Sequence, residues 1–139
     1  MVVCGWSFKQ IKELYISKIL MERTGFQKLR VYQLSEELSD SLWSLVNRWD
    51  HLAKNTVGTQ LIRAVDSIGA NIAEGSGRGT HAENKRFLKI ARGSLFEVKH
   101  WLRRAYQRKL IKSKETEKIQ SIVDELTPKL SAYINSIGK

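Results

Sequence analysis

Proline is nearly missing from this chain, with Pro128 the only one among 139 residues, and cysteine is represented once, by Cys4. A lone cysteine cannot close an intrachain disulfide, so no cysteine framework points to an oxidising compartment, and a cytoplasmic protein is expected. The scarcity of proline and of short turn-bounded runs argues against an all-β chain. No stretch of about 20 apolar residues is present, which excludes an ordinary helical membrane span. Carboxylates are scarce as well: 14 Asp and Glu stand against 24 Lys and Arg, for a formal net charge of +10. Such an imbalance does not specify a fold, but it favours polyanionic partners. Internal repeats, Ser/Gly linkers and low-complexity tracts are also lacking. A chain of this length suits one domain with its own core.

What the chain does contain is helical periodicity. Val31, Leu34, Leu38, Leu42, Leu45 and Trp49 recur by threes and fours and predict a first helix over residues 26–49. Glu36, Glu37 and Asp40 make it the acidic helix, either a solvated outer face or a salt-bridging surface for a neighbour's basic helix. Residues 50–55 read as a short polar connection, with Thr56 as N-cap of a second helix over 57–74. That helix carries Leu61, Val65, Ile68 and Ile72 beside a row of small residues, Ala64, Ser67, Ala70 and Ala73. A third helix is predicted over 80–110, opened by a Thr80–Glu83 capping box. Its core rows are Phe87, Ala91, Ser94, Val98, Trp101 and Ala105, flanked by Leu88, Leu95 and Leu102. The fourth begins near Ser113 and continues through Ile119, Ile122, Leu126, Leu130, Tyr133 and Ile137. Pro128 removes a backbone donor and predicts a kink or break over residues 124–127. The fold class is therefore all-α, an antiparallel up-down-up-down four-helix bundle.

Residues 1–25 read as an N-terminal extension to a domain over 26–139. Trp6, Phe8, Ile11, Leu14, Tyr15, Ile16, Ile19 and Leu20, with lysines among them, suit an extra short amphipathic helix. Translation from Met21 is an equally open reading. No uninterrupted apolar core followed by a small-residue cleavage site marks a signal peptide.

The helix end running into a glycine-rich turn, residues 67–79 (SIGANIAEGSGRG), organises the rest. A glycine inside a helix, Gly69, is expected only where close packing needs it. Its predicted counterpart is the small surface Ala91-Arg92-Gly93-Ser94, with Asn71, Ser67 and Ser94 bonding across the crossing. Glu74 precedes Gly75, read as the residue just beyond the helix end, and Arg78 offsets its charge at the negative end of the helix dipole. Gly75, Gly77 and Gly79 would permit left-handed or close-packed backbone in the turn. The Glu74–Arg78 pair is either a structural ion pair or a ligand clamp. A phosphate-binding loop is not indicated, since no strand precedes the glycines and no Gly-Lys-Ser/Thr follows.

These residues, together with Asn84, Phe87-Leu88 and the run from Ala91 to Ala105 (ARGSLFEVKHWLRRA), resemble the four-helix bundle proteins encoded in intervening sequences of bacterial 23S rRNA genes, a family related to the accessory proteins of diversity-generating retroelements. The resemblance runs from about Phe26 to the C-terminus. It implies a four-helix bundle, a homopentamer and a link to RNA, and carries no established chemistry.

The charge is concentrated on the third helix. Between His81 and Lys112 lie ten Lys or Arg and two carboxylates, so this segment holds eight of the chain's ten net positive charges. A helix-long stripe of one sign is the footprint of nucleic-acid binding. Lys85, Lys89, Arg92, Lys99 and Arg103 are the expected phosphate contacts, with Arg86, Arg104 and Arg108 alongside. No helix-turn-helix, zinc-finger or RNP pattern suggests base-specific readout. Catalysis is not expected: His51, His81 and His100 fall in no metal-ligand spacing, and the adjacent carboxylates Glu36-Glu37 and Asp124-Glu125 diverge on a helix. No cofactor or metal is implied. The leading function is a non-catalytic, basic, oligomeric scaffold binding RNA or DNA through the third helix, with Asn71, Glu74 and Arg78 fixing the architecture. The alternative is a protein-interaction adaptor, such as an accessory subunit of a reverse transcriptase, whose basic helix is a subunit or partner interface.

Overall fold

The computed structural model of the chain describes residues 5–23 and 25–139; Cys4 lies outside them. Every regular element among the described residues is helical. Helix α1 (Phe8–Met21) is capped by Ser7, whose Oγ accepts from the Gln10 amide while Gln10 Oε1 accepts from the Ser7 amide. It buries nothing: Phe8, Leu14, Tyr15, Ile19 and Leu20 all remain exposed. A 3-10 turn (Gly25–Lys28) leads into α2 (Arg30–Val46). This helix starts later than residue 26 because residues up to Lys28 are wound as the 3-10 turn and Leu29, the residue at the N-cap, is extended (ψ 132°).

The second helical segment starts earlier than predicted. Asp50 Oδ1 accepts from the Ala53 amide at 2.9 Å, so Asp50 is the N-cap, whereas Thr56 Oγ1 donates to the Leu52 carbonyl from inside the helix. Helix α3 (His51–Ala53) passes through one wide π turn (Lys54–Gly58) into α4 (Thr59–Gly77). A Cβ on Gly58 would lie 2.6 Å from Val46 Cγ1, so only glycine lets this turn lie so close to the end of α2. The helix does not end at Gly75, which is helical and buried; it continues to Gly77, and Gly79 supplies the left-handed residue at φ 84°.

Helix α5 (His81–Gln107) is capped by Thr80, whose Oγ1 accepts from the Glu83 amide at 3.2 Å. The reciprocal half of the capping box is replaced by an ion pair between Glu83 and Arg86. The helix stops short of Leu110 because Lys109 turns left-handed (φ 61°). The Leu110 amide then reaches the Ala105 carbonyl at 2.9 Å and the Lys109 amide reaches that of Tyr106 at 3.0 Å, the two bonds of a Schellman end. In α6 (Ser113–Ser136) the chain runs past Pro128 without a break. Thr127 Oγ1 donates to the Val123 carbonyl at 2.7 Å in the turn before it.

Helix α2 packs on α4 and α6, α4 packs on α5, and α5 packs on α6, so four helices enclose one core. Leu34, Leu38, Leu42, Leu61, Ile68, Ile72, Leu88, Leu95, Leu126, Leu130 and Ile134 are fully buried. Each such side chain contributes about 1.5–3 kcal/mol of transfer free energy. On α5 the buried row is Leu88, Ala91, Leu95, Val98 and Ala105, while Phe87, Ser94 and Trp101 occupy a half-buried flank. Of the tryptophans, Trp49 is buried and donates Nε1–H to the Leu110 carbonyl at 3.0 Å, but Trp43 is 62% exposed. Arg30 bonds both Glu125 oxygens, at 3.0 and 2.8 Å, and Arg48 pairs with Glu115, bracing both ends of α2 against α6.

Candidate nucleic-acid interface

The glycine-rich corner joins α4 to α5. Asn71 Nδ2 donates to the Ser67 carbonyl at 2.7 Å and to Ser67 Oγ at 2.9 Å, and Ser94 Oγ donates to Ser67 Oγ at 3.0 Å across the helix crossing. The close approach itself is made by Gly75, not Gly69. A Cβ on Gly75 would meet Asn84 Oδ1 at 2.7 Å, with the Asn84 carbonyl and Phe87 Cβ each at 3.0 Å. Gly69 instead faces Ser35 and Tyr32 of α2, Gly93 opens onto empty space, and so the two predicted small surfaces do not meet through their glycines. Gly77 is helical and has open space around it, while Ala70 is exposed beside Gly69. Asn84 Oδ1 is buried beside Gly75 with no hydrogen-bond partner among the described residues.

Arg78 pairs with Glu74 at 2.7 Å, one turn apart, both about half exposed. Its guanidinium also sits 4.8 Å from the Phe87 ring centre, and that of Arg86 lies 4.5 Å from the same ring. The chain Glu74–Arg78–Phe87–Arg86–Glu83 therefore clamps the corner. An exposed ion pair contributes at most about 1 kcal/mol, and an exposed cation–π contact about 0.5–1. Together they tie the first turns of α5 to the end of α4, while the buried row of Leu88, Ala91, Leu95, Val98 and Ala105 sets which flank faces outward.

Those residues form a straight row. Lys85, Lys89, Arg92, Lys99 and Arg103 are spaced by four, three, seven and four, which places them along one flank of α5 over about 27 Å of helix. None of the five makes an ion pair among the described residues, although Arg23, Arg30, Arg48, Arg78 and Arg86 all do. Arg86, alongside the row, is paired with Glu83. Arg104 bonds Gln107 Oε1 at 2.7 Å, and Arg108 sits at the helix C-cap. The C-terminal half of the row lines a groove of about 420 Å³ between α5 and α6, where Lys99, Leu102, Arg103 and Tyr106 face Ile119, Gln120, Val123 and Asp124. Asp124, a carboxylate in that groove, accepts from Gln120 Nε2 at 2.7 Å.

Sequence reading passed over two residues of this surface. Phe96 fills the gap in the row between Arg92 and Lys99, with Lys99 Nζ 5.2 Å from its ring centre, and Tyr106 extends the row by three. Their signal was spacing: with them included, the row repeats by four and three from Lys85 to Tyr106 without interruption.

On the acidic side, Glu36 pairs with Arg23, Asp66 with Ser39, and Glu37 and Asp40 stay exposed. Burial, followed by a hydrogen bond to Glu36 and its charge, raises the Tyr32 phenol above its ordinary value. The histidines are exposed, and no His, Cys, Asp or Glu cluster among the described residues could hold a metal ion. No helix among them is long and apolar enough to cross a membrane.

The fold and this surface define a basic all-helical protein with four helices around one core and a one-sided cationic helix. The chain belongs to the 23S rRNA-intervening sequence protein family, which it matches over residues 27–132. It is similar to the crystal structure of a protein of unknown function from the S23 ribosomal protein family of Bacteroides thetaiotaomicron, with 24% identity, a TM-score of 0.68, and coverage of 76% of this chain and 96% of that one. That likeness concerns the fold. No curated protein matches the chain.

Proposed function

We propose that this chain is a non-catalytic scaffold, an antiparallel up-down-up-down four-helix bundle assembling into a cytoplasmic homo-oligomer, that holds RNA or DNA along α5. The observation that carries the reading is the row Lys85, Lys89, Arg92, Lys99 and Arg103, five cations on one helix flank without a carboxylate partner among the described residues. Cations left unpaired beside one another on a folded surface are suited to neutralising phosphates and releasing their counterions. Such contacts position a strand without reading its sequence. Arg104 and Arg108, farther round the helix, would add attraction at longer range. A pentameric ring, as the family resemblance implies, would repeat the row around its circumference and multiply affinity through avidity.

The test is the triple variant Lys89→Gln, Arg92→Gln, Arg103→Gln, measured for binding to labelled structured RNA and duplex DNA across a salt series. Affinity should fall, and the slope of log K against log salt should flatten by roughly 2–3. Unchanged binding would remove this surface from the function.

The adaptor reading is favoured by a different observation, the exposed apolar residues of α1 together with Glu37 and Asp40 on α2. Under it the basic row is a subunit or partner contact, for example to a reverse transcriptase, and the triple variant would change the mass in solution or partner capture while leaving nucleic-acid binding as it was.

A further inference from the structure

We infer that the basic flank of α5 is built for a single-stranded nucleic acid, whose unpaired bases stack on Phe96 and Tyr106 while its phosphates lie on Lys89, Arg92, Lys99 and Arg103. This rests on the proposed nucleic-acid function and narrows its ligand. Duplexes hide their base faces inside the stack, so a duplex-binding surface has little use for exposed aromatic rings among its cations. Single strands offer a π-face with every base, and proteins that hold them combine a cationic track with aromatic platforms.

The row has that composition. Phe96 is 55% exposed and Tyr106 57% exposed, though both are large side chains on a helix whose other face supplies an ample core. Both fall on the four-three repeat that carries the cations, so the cations and the rings share one flank. They are ten residues apart, about 15 Å along the helix, with Lys99 and Arg103 between them. Lys99 Nζ already lies over one face of the Phe96 ring, 5.2 Å from its centre, so a base would stack on the opposite face with a cation across the ring from it. At the other end, Tyr106 lines the α5/α6 groove, whose walls include Leu102, Ile111, Ile119 and Val123. An apolar cleft of about 420 Å³ beside Arg103 can accept a flat heteroaromatic ring while its phosphate stays at the cationic lip. Gln120 in the same groove offers amide polarity to a base edge, and Asp124, held by Gln120, keeps the phosphate outside.

The experiment uses the full chain with 20-nucleotide single-stranded RNA, the same sequence as DNA, and an RNA duplex of that length, each across a salt series. Phe96→Ala and Tyr106→Ala should each weaken single-strand binding by roughly 5- to 150-fold, with duplex binding changed less than about twofold. Because stacking releases no counterions, the salt slope should stay as in the parent, unlike that of the Lys89→Gln, Arg92→Gln, Arg103→Gln variant. Phe96→Trp should retain or tighten single-strand binding. A preference between the RNA and DNA strands then identifies which of the two supplies the ligand, through the 2′-hydroxyl. Two outcomes overturn the inference: single-strand affinity unmoved by both aromatic changes while the charge variant still loses binding, or a fall in oligomer mass on Phe96→Ala with no selective loss for single strands. In the first case the proposed function survives. Loss of neither binding nor slope in the charge variant would instead defeat the proposed function itself.

Discussion

Replacing Gly75 with alanine should destabilise the protein, although the same change inside a helix ordinarily helps. Alanine has a helix propensity better than glycine by about 1 kcal/mol, so propensity alone predicts a gain. The added methyl would lie 2.7 Å from Asn84 Oδ1 and 3.0 Å from both the Asn84 carbonyl and Phe87 Cβ. The amide oxygen can swing aside, but the carbonyl and the Cβ move only if α5 moves. Forcing a methyl into such a contact costs about 1–3 kcal/mol, which set against the propensity gain of about 1 leaves a net loss of up to about 2. Gly93 is the control: it is also helical, but nothing stands within 4 Å of its added Cβ. Gly93→Ala should gain about 0.5–1 kcal/mol. The two variants would differ by about 0.5–3 kcal/mol, or roughly 2–12 °C in Tm for a chain of this size. Thermal unfolding followed by circular dichroism, with a urea series to confirm an unchanged m-value, measures that gap. If Gly75→Ala melts with or above Gly93→Ala, the α4–α5 contact is not as close as described.

Lys109→Gly should raise stability by about 0.5–1 kcal/mol, because a lysine held at φ 61° carries a left-handed penalty that glycine lacks; a fall in the denaturation midpoint would contradict the helix end. Trp49→Phe keeps the ring buried but loses the bond to the Leu110 carbonyl, and should cost about 1 kcal/mol or more by urea unfolding. Tyr32 has its pKa raised above 10.0 by burial and by Glu36, so the protonated phenol favours the folded state. Its contribution is complete below pH 10 and disappears as pH rises through the raised value, so Tyr32→Phe should lessen the loss of stability in alkali; the ultraviolet difference titration between the parent and Tyr32→Phe should place the missing phenol above 10.0, and a difference centred at or below that value would refute this.

The burial of the first stripe was legible, since all six residues from Val31 to Trp49 are buried, although α2 ends at Val46 and Trp49 lies in the turn beyond it; the row Leu61, Val65, Ile68 and Ile72 was legible too. Periodicity reports which side of a helix meets the core because that side must be apolar whatever the neighbours are. Helix ends were less legible. Asp50 and Thr56 are both good N-caps by type, and the choice fell to Asp50 because a π turn absorbs the extra residue and carries the helix through Thr56. Which glycine meets which neighbour was not legible either. Gly69 and Gly75 lie on different sides of α4, and which of them faces α5 follows from how the two helices pack along their length, which the periodicity of one helix does not report. The cationic row was readable from charge alone. Phe96 and Tyr106 were passed over, although their place on the same four-three repeat as the cations sets them on the exposed flank and not on the core face.

The unpaired row has a price within the folded chain. Lys85 and Lys89, Lys89 and Arg92, and Lys99 and Arg103 are like charges one turn apart, and each such neighbour disfavours its helix by about 0.2–0.5 kcal/mol. Helix α5 is therefore under electrostatic tension that the rest of the molecule restrains. Anything that screens or neutralises that flank relaxes it, so the melting temperature should climb as salt is added, the opposite of what a surface held by ion pairs would do. A bound polyanion would go further than salt, because its binding energy adds to the tension it removes. The most stable form of this protein would then be the one with its charged flank occupied.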